Sequence, residues 1–495
     1  MRAFRLVLAF LLLAIAASFS QSASSAKPGA GFSLDNIDKS IDPCVDFFQY
    51  ACGNWIKNSE IPADRPSWQS FSELQEGNLA IERGILEKAA AGGSARNAID
   101  QKIGDLYGSC MDEKAVDAKG IAPIKPELDR IAAVKDKAAL IEEIGHLHLV
   151  GGTSLFSFSA SSDLHNADQV IAYINQGGLS LPDRDHYVKD DPDKVEMRKH
   201  LTEFATQVFT LAGLTPQQAA ASAQTVLVVE TLLAADSMDR TKTRDPKNRD
   251  HKMTREEAVA LAPDFYLNRY FAAVGAPGFT SLNVTNPDFF KQVNGVIAAL
   301  PLDSLKTYVS WHVLRAAAPW LSQPFVEADF KMRQALTGQK QIQDRWKRCV
   351  TLVDGSMGEA LGQRYVEATF GAEGKQRMLK MVDMLETSLD NDIQNLSWMT
   401  DETKKQAKVK LQAIRNKIGY PDVYRDYSSV TIKADDLLGN VRRATEFESK
   451  RQIAKIDKPL DRHRTVIAIR VGISNLVANR LELHLRLLLG LVRHP

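Results

Sequence analysis

Histidine is the residue type best able to bring metal or acid–base chemistry to this sequence, and its spacing limits that chemistry. A zinc hydrolase of the HExxH type needs two histidines four residues apart on one helix face, a glutamate between them as general base, and a third carboxylate ligand. No two histidines have this spacing, and the ten lie at positions 146, 148, 165, 186, 200, 251, 312, 463, 484 and 494. Neither HExxH nor the inverted HxxEH occurs, so we predict no catalytic zinc site.

Glu143 and His146 form a different pattern, because they have the i, i+3 spacing of one half of a carboxylate-bridged di-iron site. A complete site of that kind needs two such pairs and two further glutamates, and only one pair is evident. His146 and His148 would share a face only on a strand. We therefore expect Glu143 and His146 to lie on an ordinary surface or core helix.

The segment Asp183-Arg184-Asp185-His186 is a second concentration of titratable groups. It could perform acid–base chemistry, but it directly follows Pro182 and reads as a polar turn. We expect the turn interpretation, with Arg184 bridging carboxylates. No GxSxG nucleophile elbow, GxxxxGK[ST] phosphate loop or GxGxxG dinucleotide fingerprint is present.

The four cysteines are Cys44, Cys52, Cys110 and Cys349. No CxxC pair exists, so a zinc ribbon or thioredoxin-like motif is unsupported. In an exported chain the four thiols allow three disulfide pairings, and the spacing alone does not choose among them.

The N-terminus predicts export. Arg2 and Arg5 precede the apolar run Leu6–Phe19, and small residues follow up to Ala26. A positive start, a short apolar run and a small-residue exit are typical of a secretory signal peptide, here 1–26. The alternative is an uncleaved membrane anchor, although the run is shorter than the roughly 20 residues that span a bilayer. We expect no span beyond this leader and a periplasmic, extracellular or secretory location.

The charge distribution argues against a nucleic-acid partner. The 495 residues carry a net charge of +1, but the basic excess sits in the leader and in residues 463–495, which hold five arginines and one acidic residue. The body between them is mildly acidic, whereas nucleic-acid binding needs a concentrated basic face.

Helical periodicity dominates the body. Ile99, Ile103, Leu106 and Cys110 recur on one helical stripe, which predicts that Cys110 is buried. Capping boxes at Thr215–Gln218 and Thr254–Glu257 predict helix starts. Further helices are predicted from apolar repeats at 378–396 and from near Thr400 onward. The strand signal is local: alternation at 156–160 and a β-branched run at 170–174 predict one small hairpin. The fold class is therefore mainly α.

Residues 463–495 differ in kind from the body. They contain eight leucines, five arginines and three histidines, and no lysine. They could form an amphipathic C-terminal helix. The alternative is that this tail was never selected to fold with the body.

Several segments, in one order, resemble the neprilysin and endothelin-converting-enzyme family of zinc metallopeptidases. The opening signature is Asp42-Pro-Cys-Val-Asp-Phe-Phe-Gln-Tyr-Ala-Cys-Gly-Asn-Trp55, and further matches lie at 106–112, 176–187, 244–248, 362–370, 398–400, 418–422 and 424–427. The resemblance covers roughly residues 38–462. It implies a secreted or membrane-anchored endopeptidase that cuts oligopeptides, with two mostly helical lobes around a cavity. The lobe without the metal would restrict entry to short peptides.

The resemblance stops where the family's zinc-binding part should begin. The match ends after Lys458-Pro-Leu-Asp-Arg462, and the family's zinc helix and downstream ExxxD segment have no counterpart in this sequence. We therefore expect no bound zinc, although zinc belongs to intact family members, and an incomplete catalytic lobe. The tail's composition suggests out-of-frame translation after Arg462; a genuine divergent C-terminus is the alternative.

The family also implies roles for the cysteines and for one arginine. The cysteines matching Cys110 and Cys349 pair with each other, so we expect that disulfide. Those matching Cys44 and Cys52 pair with C-terminal cysteines that are absent here, so we expect both to be unpaired unless they bond to each other. Some members hold a peptide carboxylate with an arginine at the position that is Ser67 here, and we do not assign the neighbouring Arg65 to that role.

These interpretations give a domain plan: a signal peptide at 1–26, a peptidase N-terminal domain at 38–462 and an unrelated tail at 463–495. Within the domain we expect a helical gating lobe at about 100–370 and partial catalytic-lobe elements at 38–100 and 370–462. Three functions follow: an inactive portion of a metalloendopeptidase, a non-catalytic peptide-binding or inhibitory module, or an active peptidase whose sequence is frameshifted. We assign no catalytic, cofactor-binding or metal-binding residue, and oligopeptides are the expected partners.

Overall fold

The computed structural model describes residues 33–92, 96–276 and 278–461. The leader 1–26 and the tail 463–495 lie outside the described residues, as does the position where the family match ends. The chain forms two compact units, which are described separately. The described part of the first is 33–62 with 67–81, and that of the second is 63–66 with most of the chain from 82 onward.

The first unit contains helix α1 (Phe47–Asn58) and the beginning of α2 (Ser70–Ala91). Asp46 caps α1 by accepting from the backbone N–H of Gln49. Asp38 lies against this helix and accepts from Lys57 Nζ at 2.6 Å. An ideal Cβ at Gly53 would lie 2.9 Å from the Asp38 Cβ, so glycine permits this close approach.

The second unit is mainly helical. Its helices are α3 (Ala98–Met111), α4 (Glu113–Lys119), α5 (Lys125–Ala133), α6 (Lys137–Leu149), α7 (Asp185–Val188), α8 (Pro192–Leu211), α9 (Pro216–Ala235), α10 (Arg255–Leu261), α11 (Leu267–Ala273), α12 (Pro287–Ala299), α13 (Leu302–Ala317), α14 (Gln323–Thr337), α15 (Arg345–Thr369), α16 (Gly371–Asn395), α17 (Asp401–Gln412) and α18 (Leu437–Ile453). The mainly α prediction is confirmed.

The predicted hairpin exists, but it belongs to a larger sheet. Strands β1 (Phe156–Ser162) and β2 (Val170–Gln176) pair antiparallel, with Phe156 opposite Gln176. Two short strands that we did not predict, β3 (Lys252–Thr254) and β4 (Ser281–Val284), extend the sheet to four strands in the order β1-β2-β4-β3. β4 runs parallel to β2 and antiparallel to β3. Strands of three and four residues carry too little alternation to be recognised in a sequence.

The predicted helix starts are confirmed. Thr215 and Thr254 each form a complete capping box, and Thr400 caps α17. The helix predicted at 378–396 is longer than its apolar repeat, because α16 begins at Gly371. The helix α15 has a kink at Met357, inside the glycine-rich stretch 355–358.

The main core is rich in aromatic rings that pack on one face of the sheet. The Phe156 ring centroid lies 4.7 Å from that of Tyr270 and 4.9 Å from that of Phe265. The last described helix joins the same core, because Leu438 and Ile453 of α18 belong to it. Beyond that helix, the backbone N–H of Val170 donates to the Lys458 carbonyl at 3.0 Å.

Helix α9 is long and apolar enough, by length and composition, to cross a membrane. We did not anticipate this helix, but our expectation of no span beyond the leader stays a prediction, because a core helix can meet the same criterion. One face of α9 packs into the core through Ala223, Val226 and Leu233, and it carries the fully buried Glu230. These contacts are those of a core helix.

Candidate functional site

The structure joins Cys110 on α3 to Cys349 on α15, with the two Cα atoms 5.6 Å apart. Both cysteines are buried, and Arg345 Nε donates to the Cys110 carbonyl at 2.7 Å. The disulfide closes a long loop, since its two cysteines lie 239 positions apart. In the first unit, Cys44 is exposed and Cys52 is half-buried, and each is a free thiol in the part of the chain that the structure describes.

The signature at 176–187 surrounds a buried carboxylate, Glu230 of α9. Glu230 Oε1 accepts from Ser180 Oγ at 2.6 Å and from His312 Nε2 at 3.1 Å. Glu230 Oε2 accepts from Tyr187 Oη at 2.5 Å and from the Ser180 backbone N–H at 3.0 Å. Trp311 Nε1 completes the network by donating to Ser180 Oγ at 2.8 Å.

These contacts set the charges inside the network. Burial alone would raise the pKa of Glu230, but the donors around it hold that pKa below its ordinary value. Burial lowers the pKa of His312. We therefore assign an ionised Glu230 and a neutral His312, which donates from Nε2 and accepts at Nδ1 from Thr153 Oγ1, 3.3 Å away.

Serine, histidine and a carboxylate thus meet here, but not in a catalytic order. The Ser180 hydroxyl donates to the carboxylate and not to the histidine, so no base is placed to remove its proton for attack. Glu230 is 0% and His312 1% exposed, so a substrate has no access. The network fixes the segment 176–187 to α9 and α13, which is an architectural role.

The Asp183–His186 segment forms the expected polar turn. Asp183 Oδ1 lies 2.9 Å from His186 Nδ1 and accepts from the Asp185 backbone N–H at 3.1 Å. The expected role of Arg184 was wrong: its guanidinium donates to the carbonyls of Ala234 and Ala235, 3.3 and 3.0 Å away, at the C-terminal end of α9. Carbonyls that lack partners at a helix end attract such a cation.

Glu143 and His146 lie on α6, as expected, and a third group joins them. Glu127 of α5 places a carboxylate oxygen 3.3 Å from His146 Nε2, and one ligand atom from each of the three residues falls within 4.8 Å of the others. Sequence spacing gave no indication of Glu127, because the packing of α5 on α6 brings it there.

This cluster does not fit a zinc ion. Arg130 binds Glu143 with two hydrogen bonds, of 3.0 and 2.7 Å, and Arg442 of α18 lies 2.6 Å from Glu127. The two guanidinium groups already neutralise both carboxylates and would repel a dication. With one imidazole the cluster also lacks the histidine pair of a hydrolytic zinc site. Its role is to attach α18 to α5 and α6.

The other described histidines have separate environments. His148 Nδ1 lies 2.9 Å from Tyr270 Oη, and burial lowers the pKa of this histidine to about 4. His165 faces Asp250 at 3.0 Å, and His200 lies near Glu196 and Glu203. His251 Nδ1 is buried without a hydrogen-bond partner among the described residues.

A further titratable group escaped the sequence interpretation. Burial, together with the nearby Asp354 carboxylate, raises the pKa of Glu82 to about 8. The two residues lie 272 positions apart, and packing brings them together, so no local pattern could have indicated the pair.

The position discussed for a carboxylate-binding arginine lies at the surface. Ser67 is exposed and Arg65 is half-buried. Asn283, in a glycosylation-type Asn-Val-Thr sequence, is 1% exposed, and its side chain holds the Arg249 carbonyl and the His251 N–H at 2.7 Å each. It is inaccessible in the folded chain.

Comparison with known proteins shows which family shares this architecture. Residues 43–421 match the N-terminal part of the family described as Peptidase family M13. The chain is 30% identical over 423 residues to endothelin-converting enzyme 1 of Homo sapiens, covering 80% of this chain and 54% of that protein. It is 27% identical over 459 residues to neprilysin-3 of Drosophila melanogaster, covering 87% and 58%.

Solved structures give the same result. The zinc metalloprotease Zmp1 of Mycobacterium tuberculosis, in complex with an inhibitor, superimposes with a TM-score of 0.82 at 31% identity, covering 89% of this chain and 67% of that one. PepO of a Lactobacillus superimposes with a TM-score of 0.77 at 18% identity, which supports the fold alone. The chain spans about half the length of the curated relatives it matches. It belongs to peptidase family M13.

Proposed function

We propose that this chain is the N-terminal, peptide-admitting part of a neprilysin-like zinc metalloendopeptidase and that it does not hydrolyse peptides by itself. One observation carries the proposal: the family match extends over 43–421, yet the sequence holds no two histidines four residues apart. Family membership supports oligopeptides as the substrate class of the whole enzyme. The missing histidine pair supports the absence of hydrolysis by this chain.

The chemistry explains why that pair matters. Zinc bound by two histidines and a carboxylate would polarise a peptide carbonyl and make a bound water acidic enough to act at neutral pH. The one cluster of suitable ligands in the described residues is neutralised by Arg130 and Arg442. We therefore derive no catalytic step from the residues of this chain.

Exposed apolar side chains support the proposal that this chain works together with another segment of the peptidase. In the first unit Val45, Phe47 and Phe48 are more than 60% exposed, and in the second unit Met384 and Trp398 are more than 50% exposed. Large apolar side chains that form a patch on a surface usually mark a contact with another element or chain. We propose, for each unit by itself, that another segment of the peptidase covers these side chains.

The disulfide supports the proposed location. A buried Cys110–Cys349 bond persists in an oxidising compartment, in agreement with the leader-like N-terminus. We therefore propose that the protein acts outside the cytoplasm.

The test of catalysis is direct. Purified chain is incubated with a quenched-fluorescent oligopeptide, with zinc or with a chelator, and an intact M13 peptidase serves as the positive control. We expect no hydrolysis by the chain under either condition. Zinc-dependent, chelator-sensitive turnover that co-purifies with this chain would overturn the proposal.

A second test separates a natural inactive part from a frameshifted sequence. The DNA after the Arg462 codon is resequenced and translated in the other two frames. If a reading frame that continues the family match and contains HExxH appears, the natural product is an active peptidase. If neither frame contains it, the non-catalytic role is supported.

A non-catalytic peptide-binding module is the second candidate. It is favoured by one observation, an open cleft on the sheet, whose lining is described below. Saturable binding of oligopeptides by the chain, without hydrolysis, would support this role.

A further inference from the structure

An open cleft of about 420 Å³ lies on one face of the four-stranded sheet. We call it the sheet-face cleft. It lies between strands β1 and β2 and the segment 238–249 that follows α9, and its lining includes Ser159, Ser161, Tyr173, Met238, Thr243 and Arg249. The signature at 244–248 belongs to this segment and has no other assigned role.

Strand alternation creates the polar wall of this cleft. Along β1, Phe156, Phe158 and Ala160 point into the core, while Ser157, Ser159 and Ser161 are exposed on the other face. On β2, Tyr173 pairs with Ser159 and shares that face. On β2 this face is buried at Ile171 and Tyr173, whereas the serine row of β1 is exposed and forms the part of the face that meets water or a polar ligand.

The hydrogen bonds of the wall leave a surplus of donors. Gln176 Nε2 donates to the Met238 carbonyl, Gln176 Oε1 accepts from the Met238 backbone N–H and from Asn286 Nδ2, and Tyr173 Oη donates to the Ser162 carbonyl at 2.7 Å. Ser159 Oγ accepts from Asn175 Nδ2 at 3.3 Å, which leaves its own proton free to donate. Within the described residues, no hydrogen bond of the Ser161 hydroxyl is found.

The Arg249 guanidinium adds a positive charge to these free hydrogen-bond donors, and both features favour an anion. Arg249 forms no ion pair with the described residues. Two acidic groups lie near Tyr173, and each has a partner: Asp163 pairs with Lys252 at 2.6 Å, and Asp250 lies 3.0 Å from His165, which carries a charge only when protonated. Asn283 holds the Arg249 carbonyl at 2.7 Å and so fixes the backbone that carries the guanidinium.

From these contacts we propose that the sheet-face cleft binds the carboxylate of a short peptide. Arg249 would pair with the carboxylate, the hydroxyls of Ser159 and Ser161 would donate to it or to the adjacent peptide carbonyl, and Met238 with the Tyr173 ring would contact the neighbouring side chain. The volume suits a few residues. The peptide identity rests on the function proposed above; the anion preference rests on the cleft alone.

The carboxylate has two possible sources, the C-terminus of the peptide or an acidic side chain. Binding is therefore measured by calorimetry on the full chain, in chelator, with two matched pairs of probes. The first pair is tetra-alanine with a free or an amidated C-terminus. The second is acetyl-Ala-Glu-Ala-amide and acetyl-Ala-Gln-Ala-amide. Chelator removes hydrolysis, so failure of catalysis and failure of binding are seen in separate experiments.

Charged peptides are expected to bind at least about tenfold more tightly than their neutral partners, since a hydrogen bond to a charged group contributes about that factor. The pair that shows the difference identifies the source of the carboxylate. Arg249→Gln should abolish the difference. Arg244→Gln, which removes an exposed cation of the same segment outside the cleft lining, should leave it unchanged. Ser161→Ala should weaken binding about threefold.

Three results would overturn the proposal. They are equal affinities within both probe pairs, equal losses in Arg249→Gln and Arg244→Gln, and no saturable binding by the unaltered chain. If inorganic phosphate or acetate competes as strongly as the charged peptide, the site binds small anions and the peptide assignment is wrong. Thermal unfolding of each variant verifies that a loss of binding reflects the cleft and not the fold.

Discussion

The middle region, residues 100–370, and the segments on either side of it use apolar side chains in different ways. In the middle region many of these side chains fill one core, from Ile124 to Met332, around the buried Trp311 and Phe156. Among the described residues of 33–81, Leu79 is the one apolar side chain that is buried, whereas eight large ones are exposed: Leu34, Val45, Phe47, Phe48, Ile56, Ile61, Phe71 and Leu74.

Helix α16 shows the same contrast within one element. Its apolar repeat from Met378 onward predicted the helix, yet only Ile393 of this helix is buried, and Met381, Met384 and Leu385 are exposed. An amphipathic stripe thus specifies a helix but not its partner. The comparison teaches that the middle region buries its apolar side chains in one core, which Leu438 and Ile453 of α18 join, whereas residues 33–81 and α16 leave most of their large apolar side chains unburied in the described chain.

The largest expected effect comes from the disulfide. Replacing Cys110 and Cys349 together by serine should lower the free energy of unfolding by about 5 kcal/mol, because the bond closes a loop of 239 residues. Urea unfolding followed by tryptophan fluorescence measures the change. The matched control replaces Cys44 and Cys52 by serine and should change it by less than about 0.5 kcal/mol. Similar losses in both would break the distinction between the regions.

Two phenylalanine substitutions test the same contrast between a buried core and an exposed flank, this time without changing a disulfide. Phe156→Ala should cost about 3–5 kcal/mol, because the ring is fully buried among Phe265, Tyr270 and Phe290. Phe48→Ala, at an exposed ring, should cost less than about 0.5 kcal/mol. Calorimetric melting of both variants measures the two values, and a large cost for Phe48 would mean that its face is covered in solution.

Lowering the pH should reduce the stability of the middle region through His148. Its pKa in the fold is about 4 against an ordinary 6.5, so its contribution is present in full above pH 6.5 and is lost as the pH falls towards 4. The difference corresponds to about 3 kcal/mol, and the lowered pKa of His312 acts in the same direction.

Urea unfolding at pH 7, 5.5 and 4 should therefore show a smaller acid loss in His148→Gln than in the unaltered chain. His165→Gln, at an exposed histidine, serves as control and should keep the original profile. An unchanged profile in His148→Gln would mean that this histidine is charged in the fold.

Local patterns in the sequence predicted the local structure well. The capping boxes at Thr215 and Thr254 begin helices, and the alternation after Phe156 forms a strand. The expected partners of Cys110 and Cys349 came from the family resemblance, and the structure joins them. The domain bounds, the leader and the frameshift remain predictions.

Interactions between distant segments were not predictable in the same way. The Glu230 network joins residues from positions 180 to 312, and Glu127 meets Arg442 across 315 positions. Such partners have no fixed spacing, and one sequence supplies no covariation to reveal them. The sheet-face cleft depends on the same long-range folding, because β1 and the segment at 238–249 must come together first.

Arg442 tests whether α18 belongs to the middle region. Arg442→Gln leaves the buried Glu127 carboxylate without its closest cation, so we expect a loss of about 2 kcal/mol. Hydrogen exchange should show faster opening of 437–453 in this variant. Lys450→Gln, which breaks an exposed pair with Glu446 on the same helix, should cost no more than about 0.5 kcal/mol. Equal effects would mean that α18 is held by its apolar contacts alone.

The smallest change in stability is expected at the exposed apolar side chains of the flanking segments. Met384→Ser and Trp398→Ser remove side chains that are 63% and 56% exposed, so the free energy of unfolding should shift by no more than about 0.5 kcal/mol. Both variants should bind less of a hydrophobic dye and aggregate more slowly, since exposed apolar patches drive both processes.

Val228→Ser, at a 54% exposed valine of α9 in the middle region, is the control and should leave dye binding unchanged. If it lowers dye binding as much as Met384→Ser, the apolar surface is spread over the whole molecule. The flanks would then have no special need for a covering segment.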